Sequence, residues 1–171
     1  QEGSSLQAQD PPAILTSFTE ISSTGYQTTF TEMAGTDTSD NAVAIVSPDI
    51  SIIDLDSDTL YGAVIIITNL QDGDAETLLI DASLDLPDGM TASVYDVNTG
   101  TLTLTGTASK EDYETALKLV RYNNSSDNPD TTPRTIAITV NDGGNNSNTA
   151  ITTVTITGTN DAAVIGGVST A

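Results

Sequence analysis

The strongest constraint on the fold is a recurring pattern of short β-branched stretches separated by turns. Threonine occurs 29 times in 171 residues, and β-branched residues favour extended backbone. Turn residues recur at 71–74, 86–89, 98–100 and 141–144, a spacing typical of a β-sandwich. The pattern predicts an all-β fold with strands at 13–19, 26–32, 42–46, 50–54, 62–68, 77–81, 91–96, 101–105, 118–122, 134–140 and 150–158.

One segment departs from strand periodicity. Ser109 stands where a helix N-cap is favoured, and Tyr113 and Leu117 follow at helical spacing. Asp112 occupies the position where a capping box has Glu or Gln, so we expect only a partial cap. The spacing predicts a short helix over 110–117.

The charge balance excludes two classes of partner. The chain has 4 basic and 24 acidic residues, which gives a formal net charge of −20. Nucleic acid and anionic membrane surfaces are both bound through Lys and Arg, so we expect neither as a partner. So large a charge makes the compact state repel itself, and bound divalent cations would relieve the repulsion. A salty habitat or a need for solubility would explain the acidity equally well.

The residues that the chain lacks narrow its chemistry. There is no His, Cys or Trp. Catalysis would need a Ser–Lys pair or paired carboxylates, and no motif marks either, so we expect a non-enzymatic protein. Disulfides are excluded. No run approaches the roughly 20 apolar residues of a membrane helix, so we do not expect direct membrane insertion.

An acidic stretch directly follows the predicted strand at 50–54. In an extended segment alternate side chains share a side, so Asp54, Asp56 and Asp58 would repel one another unless a cation lay between them. Ca²⁺ fits because it takes roughly 6–8 oxygen ligands in irregular geometry. A solvated acidic turn is the alternative, and Lys110 is expected to offset neighbouring acids.

Two further acidic groups lie in turns. Asp72, Asp74 and Glu76 alternate around a glycine, and Asp142 lies in an Asn-Asp-Gly turn. A tight turn alone explains both groups, so a turn is favoured over a metal site at each.

The two ends of the chain carry a related pattern. Residues 10–15 and 161–165 both pass from an acid through small or proline residues to an apolar pair, which suggests a tandem array. We expect a tail or linker at 1–12, one domain at 13–160, and a linker with the start of a following repeat at 161–171. The N-terminus lacks an initiator Met and a signal pattern, which suggests a segment of a longer precursor.

A series of motifs carries a family resemblance. In chain order they are TLTGTASKEDY at 103–113, VRYNNSSDNP at 120–129, RTI at 134–136, VNDG at 140–143 and TGTND at 157–161. Over residues 30–165 the chain resembles the cadherin-like repeats of very large bacterial surface adhesins, secreted calcium-dependent proteins that often carry RTX repeats. The resemblance implies an extracellular Greek-key β-sandwich, cadherin- or immunoglobulin-like, strung in tandem with Ca²⁺ at or near the junctions.

The resemblance also implies a ligand set. In cadherin-type domains an acid near the first strand, an Asp-x-Asp pair and an Asn-Asp linker ligate Ca²⁺. These roles would fall to Glu32, to Asp54 and Asp56, and to Asn160 and Asp161. In the expected fold Glu32 lies near Asp54, Asp56 and Asp58, and these acids form the best candidate site.

The linker departs from the family pattern at two positions. The family has an Asp two residues before the linker Asn and a Pro soon after the pair, where this chain has Gly158 and Ala163. We therefore expect this linker to bind Ca²⁺ weakly, or only with ligands from the next repeat.

These features together predict a calcium-rigidified extracellular module of a large bacterial adhesin, acting in cell-surface or biofilm attachment. The expected partners are neighbouring repeats of the same polypeptide, with cell-surface or matrix glycans as further candidates.

Two alternatives stay open. One is a carbohydrate-binding cadherin-like module, which the lack of Trp disfavours. The other is a filament subunit whose N-terminal arm, apolar at 13–15 and 26–30, adds a strand to a neighbouring copy. A strand within the same domain is favoured over strand exchange.

Overall fold

The computed structural model describes residues 14–17, 25–33, 41–54, 57–81 and 84–160. The predicted tail at 1–12 and the predicted linker at 161–171 lie outside these ranges, so the domain boundaries stay predictions.

Eleven strands and one α-helix, α1 (Lys110–Leu119), form the described part of the chain, and all eleven predicted strands are present. The prediction of an all-β sandwich with one short helix is confirmed. The strands are β1 (Ile14–Ser17), β2 (Tyr26–Thr31), β3 (Val43–Ala44), β4 (Ile50–Ile53), β5 (Thr59–Ile67), β6 (Glu76–Ile80), β7 (Thr91–Ala92), β8 (Thr101–Ser109), β9 (Val120–Asn124), β10 (Arg134–Asn141) and β11 (Ala150–Thr157).

The strands form three sheets around one core. The largest has six strands in the order β2-β11-β10-β5-β8-β7, and the others are β3-β9-β6 and the pair β1-β4. Phe30 of β2 packs edge-to-face on Tyr122 of β9, with ring centroids 5.6 Å apart and planes at 89°. This contact shows that the six-stranded and three-stranded sheets face each other across the core.

Alternation along the strands fills that core with aliphatic side chains. On β10, Ile136, Ile138 and Val140 are buried while the residues between them are partly exposed. Each fully buried aliphatic side chain contributes about 1.5–3 kcal/mol, so these inward rows supply most of the stabilisation.

Helix α1 begins with a complete capping box, and the expectation of a partial cap is wrong. Ser109 Oγ accepts a hydrogen bond from Asp112 N at 3.1 Å, and Asp112 Oδ2 accepts one from Ser109 N at 3.2 Å. The shorter Asp side chain reaches the Ser109 backbone as Glu does in the usual box. The helix buries Tyr113 and Leu117 and ends at Leu119, two residues later than predicted.

Strands β5 and β8 are longer than predicted because their pairing continues past a shift in register. The register shifts between Leu60 and Gly62, and β8 continues through Gly106, whose φ is +138°. A Cβ at Gly106 would lie 2.4 Å from Gly89 O, so only glycine lets the strand pass this point.

The apolar N-terminal segments pair within the chain. β1 pairs antiparallel with β4, and β2 pairs in parallel with β11. Within the single chain, these segments pair as strands of their own domain, as the favoured interpretation expects. Within the described ranges, no helix has both the length and the hydrophobicity needed to cross a bilayer.

Candidate functional site

The candidate ligands lie at opposite ends of the sandwich. β10 pairs antiparallel with both β5 and β11, so β5 and β11 run in the same direction, and β2 runs with them. Glu32 follows β2 at the end where β11 finishes, which we call the exit end. Asp54 and Asp58 precede β5 at the other end, which we call the entry end. The nine residues of β5 lie between them, a length of about 27 Å. The expectation that Glu32 lies near Asp54 is wrong.

At the exit end, Glu32 is buried, and within the described ranges one of its carboxylate oxygens has no partner. The residue is 6% exposed, and its Oε2 accepts a hydrogen bond from Thr159 N at 2.8 Å. Its Oε1 is buried and has no hydrogen-bond partner among the described residues. A buried carboxylate oxygen without a partner is costly, and a bound cation would remove that cost.

The predicted Asn-Asp linker begins immediately after the residue that Glu32 contacts. Asn160 is exposed, and Asp161 lies outside the described residues. The structure therefore brings Glu32 to the start of the linker without placing the second linker acid. An added Cβ at Gly158 would lie 3.4 Å from Glu32 Oε2, so an Asp there would place a second carboxylate beside the first.

At the entry end, Asp54 and Asp58, the two described members of the alternating acidic stretch, do not share a face. The chain leaves extended geometry after Ile53, and Asp54 Oδ1 accepts a hydrogen bond from Ser57 N at 3.3 Å. Asp54 is 8% exposed, whereas the Asp58 side chain is 98% exposed. The expected common orientation is wrong for this pair, because a turn replaces the extended alternation. Asp56 lies outside the described residues.

Lys110 supplies a positive charge at the entry end. Its Nζ lies 3.0 Å from Asp58 Oδ1 and donates a hydrogen bond to Asp54 O at 2.9 Å. Lys110 therefore offsets neighbouring acids, as predicted. The pair with exposed Asp58 contributes at most about 1 kcal/mol.

Asp142, in the loop after β10, forms the predicted tight turn. Its Oδ1 accepts hydrogen bonds from Gly144 N at 2.8 Å and Asn145 N at 2.7 Å, while its Oδ2 is buried and has no hydrogen-bond partner among the residues that the structure describes. The register of β10 with β5 places this loop at the entry end.

The acids around Gly73 surround a buried guanidinium. Arg134 is 0% exposed; its Nε donates to Glu76 Oε1, and its Nη2 donates to Asp72 Oδ2 at 2.7 Å. Its Nη1 donates to the backbone oxygens of Asp130 and Thr132. Asp74, in a short 3-10 helix (Gly73–Ala75), stays exposed. Arg134 thus pairs with Asp72 and Glu76, two of the three alternating acids for which the sequence favoured a tight turn over a metal site.

The Arg134 cluster extends through neutral side chains. Tyr122 OH donates to Glu76 Oε1 at 2.7 Å, and Asn124 Nδ2 donates to Asp72 Oδ2 at 2.7 Å. Burial, reinforced by the Glu76 carboxylate, raises the pKa of Tyr122 above its ordinary value. Hydrogen bonds from Thr132 hold the pKa of the exposed Asp130 carboxyl below its ordinary range, and Arg134 adds to this effect.

Sequence reasoning missed the role of Arg134, although a signal was present. Arg134 has the same strand parity as Ile136, Ile138 and Val140, which places its side chain on the core face of β10. A buried arginine requires carboxylate partners, so this parity predicts that some acids of the chain are inside.

No cluster of three or more His, Cys, Asp or Glu side chains able to hold a metal ion is present among the described residues. A cation at the exit end would therefore need, besides Glu32, amide or carbonyl oxygens, or acids from outside the described ranges.

Comparison with known proteins gave one informative similarity. No protein-family model matches the chain, and no solved structure matches it at a significant level. Halomucin of Haloquadratum walsbyi (strain DSM 16790 / HBSQ001) is 32% identical over 107 residues, which is 63% of this chain. The chain spans about 1% of the length of this curated relative. The similarity is consistent with a module of a large surface protein, and the narrower cadherin-like family remains a proposal.

Proposed function

We propose that this chain is a non-enzymatic structural module of a large extracellular surface protein, of the cadherin-like adhesin type, and that Ca²⁺ binds at its exit end. Glu32 supplies the first ligand, and Asn160 and Asp161 or the following repeat supply the others. Calcium there makes the junction between consecutive modules rigid and holds the array away from the cell in surface or biofilm attachment. Asp54 and Asp56 are a second candidate pair at the entry end.

The observation that carries the calcium proposal is the state of the Glu32 carboxylate. One oxygen accepts a hydrogen bond from Thr159 N, and the other is buried without a hydrogen-bond partner in the part of the chain that the structure describes. Water or a positively charged side chain normally satisfies such an atom. A divalent ion with carboxylate, amide and carbonyl ligands satisfies it, and Asn160 and Asp161 provide those oxygen types one and two residues beyond Thr159.

A calcium-free alternative has its own support. The chain neutralises two groups of acids with its own cations, Lys110 at the entry end and Arg134 beside Asp72 and Glu76. The similarity to a segment of a halophilic surface protein favours acidity as an adaptation to salt. On that alternative the module is still a structural spacer, but salt stabilises it without selectivity for calcium.

Thermal unfolding at constant ionic strength separates the two explanations. A hundredfold excess of Ca²⁺ over its dissociation constant stabilises the folded state by about 2.7 kcal/mol per site. For a chain of this size that raises the melting temperature by about 5–10 °C. We expect this rise with Ca²⁺ and its reversal by EDTA.

Two matched variants locate the site. Glu32→Gln removes the charge of the proposed ligand, and we expect it to abolish most of the calcium-dependent rise. Glu111→Gln makes the same change at an exposed residue in the first turn of α1, and we expect it to keep the full rise. Equal melting temperatures in Ca²⁺ and EDTA, with a large rise in NaCl, would instead support the salt explanation.

A further inference from the structure

The outer face of the six-stranded sheet is uncharged, although the chain has a net charge of −20. Its outward positions are those that alternate with buried residues on β2, β11, β10, β5, β8 and β7. None of these positions on the six described strands is Asp, Glu, Lys or Arg. Threonine predominates, as at Thr101, Thr103 and Thr105 on β8 and at Thr153, Thr155 and Thr157 on β11. Asp96, bridged to Thr101 at one corner, marks the border of the face.

The register makes this face a regular array. Val64 on β5 is the cross-strand partner of Thr139 on β10 and of Thr103 on β8, so the three form one row at the middle of the sheet. Val64 is 39% exposed and Tyr61 on the same strand is 50% exposed. Methyl groups and hydroxyls therefore lie side by side on a surface that can pack against another sheet or hydrogen-bond to it.

The charge distribution of the molecule indicates which kind of partner binds to the outer face. A basic partner would bind to the acidic surfaces of the molecule rather than to this face. A second copy of the chain is repelled by those acidic surfaces, and the outer face is where two copies can approach without placing carboxylates against each other. From this we propose that the outer face is a self-association surface, on which a second copy packs sheet against sheet.

The size of the face predicts the strength of the contact. Six strands spaced by about 4.8 Å, with outward residues over about 23 Å of strand length, offer about 550 Å² per copy. The total of about 1,100 Å² lies at the lower limit for specific interfaces, so the association is weak and reversible. Net repulsion between the two copies falls as salt shortens the screening length from about 30 Å at 0.01 M to about 3 Å at 1 M. The dimer therefore forms at high ionic strength.

Sedimentation velocity of the 171-residue chain over a concentration series tests this inference. An excess of EDTA is present throughout, so the result does not depend on the calcium proposal. We expect a monomer at low salt and a reversible dimer at about 1–2 M NaCl. A monomer at every salt and protein concentration would overturn the proposal.

Matched charge variants show whether the outer face is the surface used. Val64→Glu places like charges close together in the dimer, and we expect it to weaken association at least about tenfold. Thr115→Glu makes a comparable change on the exposed side of α1, and we expect it to associate like the wild type. If Thr115→Glu weakens association as much as Val64→Glu, the face is not specific and the proposal fails.

A mixing experiment guards against a folding defect in the variant. Val64→Lys is prepared separately and mixed with Val64→Glu, and we expect the mixture to associate more tightly than either variant alone. No gain on mixing would contradict the proposal. The competing occupant is a glycan. If the chain stays monomeric and the nuclear magnetic resonance signals of Val64 shift when a neutral polysaccharide is added, the outer face binds glycans and the self-association proposal fails.

Discussion

Replacing Arg134 by Met tests how the chain satisfies its buried acids. The guanidinium contacts Glu76, which is 0% exposed, and Asp72, whose side chain is 13% exposed. Met has a similar length and no charge, so Arg134→Met leaves two carboxylates without their cation. Glu76 keeps hydrogen bonds from Tyr122 OH and Gln71 N, which lower the cost but do not balance the charge.

The expected loss is large compared with the stability of a domain. Removing one partner of a buried ion pair costs about 3–5 kcal/mol. The free energy of unfolding of a small protein is only about 5–15 kcal/mol. For a chain of this length the loss lowers the melting temperature by about 6–20 °C.

Arg121→Met is the matched control, because it makes the same substitution in a partly exposed ion pair. Arg121 Nη2 lies 3.7 Å from Asp81 Oδ2, and both side chains are about a third exposed, so its loss costs at most about 1 kcal/mol. Urea unfolding followed by circular dichroism measures both variants. Adding Glu76→Gln to Arg134→Met should recover part of the stability, because it removes one buried charge. If Arg134→Met and Arg121→Met lose the same free energy, the account of the buried cluster is refuted.

Three further substitutions test local features of the fold. Burial raises the pKa of Tyr113 from 10.0 to about 12, so its contribution to stability is full below about pH 10 and is lost as pH rises towards 12. Tyr113→Phe should make the fall in unfolding free energy between about pH 10 and pH 12 shallower without abolishing it, because the pKa of Tyr122 is raised as well; an equally steep fall in urea unfolding would contradict this. Ser109→Ala removes the acceptor for Asp112 N and should lower the unfolding free energy by about 1 kcal/mol; an unchanged urea midpoint would contradict the cap. Gly106→Ala places a Cβ against Gly89 O and puts alanine at a positive φ, so it should lower the unfolding free energy by about 1–3 kcal/mol. An unshifted melting curve would argue against this close approach.

The elements of the fold could be predicted because their signals are local. Alternation on β10, the turn residues on either side of each strand and the Ser109 cap are all contained in short windows of sequence. The exact ends of β5 and β8 could not be predicted, since they depend on a bulge and on the contact of Gly106 with Gly89.

The site was less predictable because its geometry depends on long-range pairing. The end at which Glu32 lies follows from the parallel pairing of β2 with β11, and a local pattern does not distinguish a parallel from an antiparallel partner. Likewise, Arg134 meets Asp72 and Glu76 across 62 and 58 residues of sequence. The alternating acids after β4 misled the prediction, because alternation carries orientation only while the chain remains extended.

Direct counting of bound calcium tests the central claim most directly. Equilibrium dialysis of the wild type, Glu32→Gln and Glu111→Gln against Ca²⁺ at constant ionic strength gives the number of ions held per chain. We predict that the wild type and Glu111→Gln bind calcium at a saturable site and that Glu32→Gln loses it. Wild-type chains that bind no calcium, or a Glu32→Gln variant that binds as much as the wild type, would contradict a calcium site at the exit end.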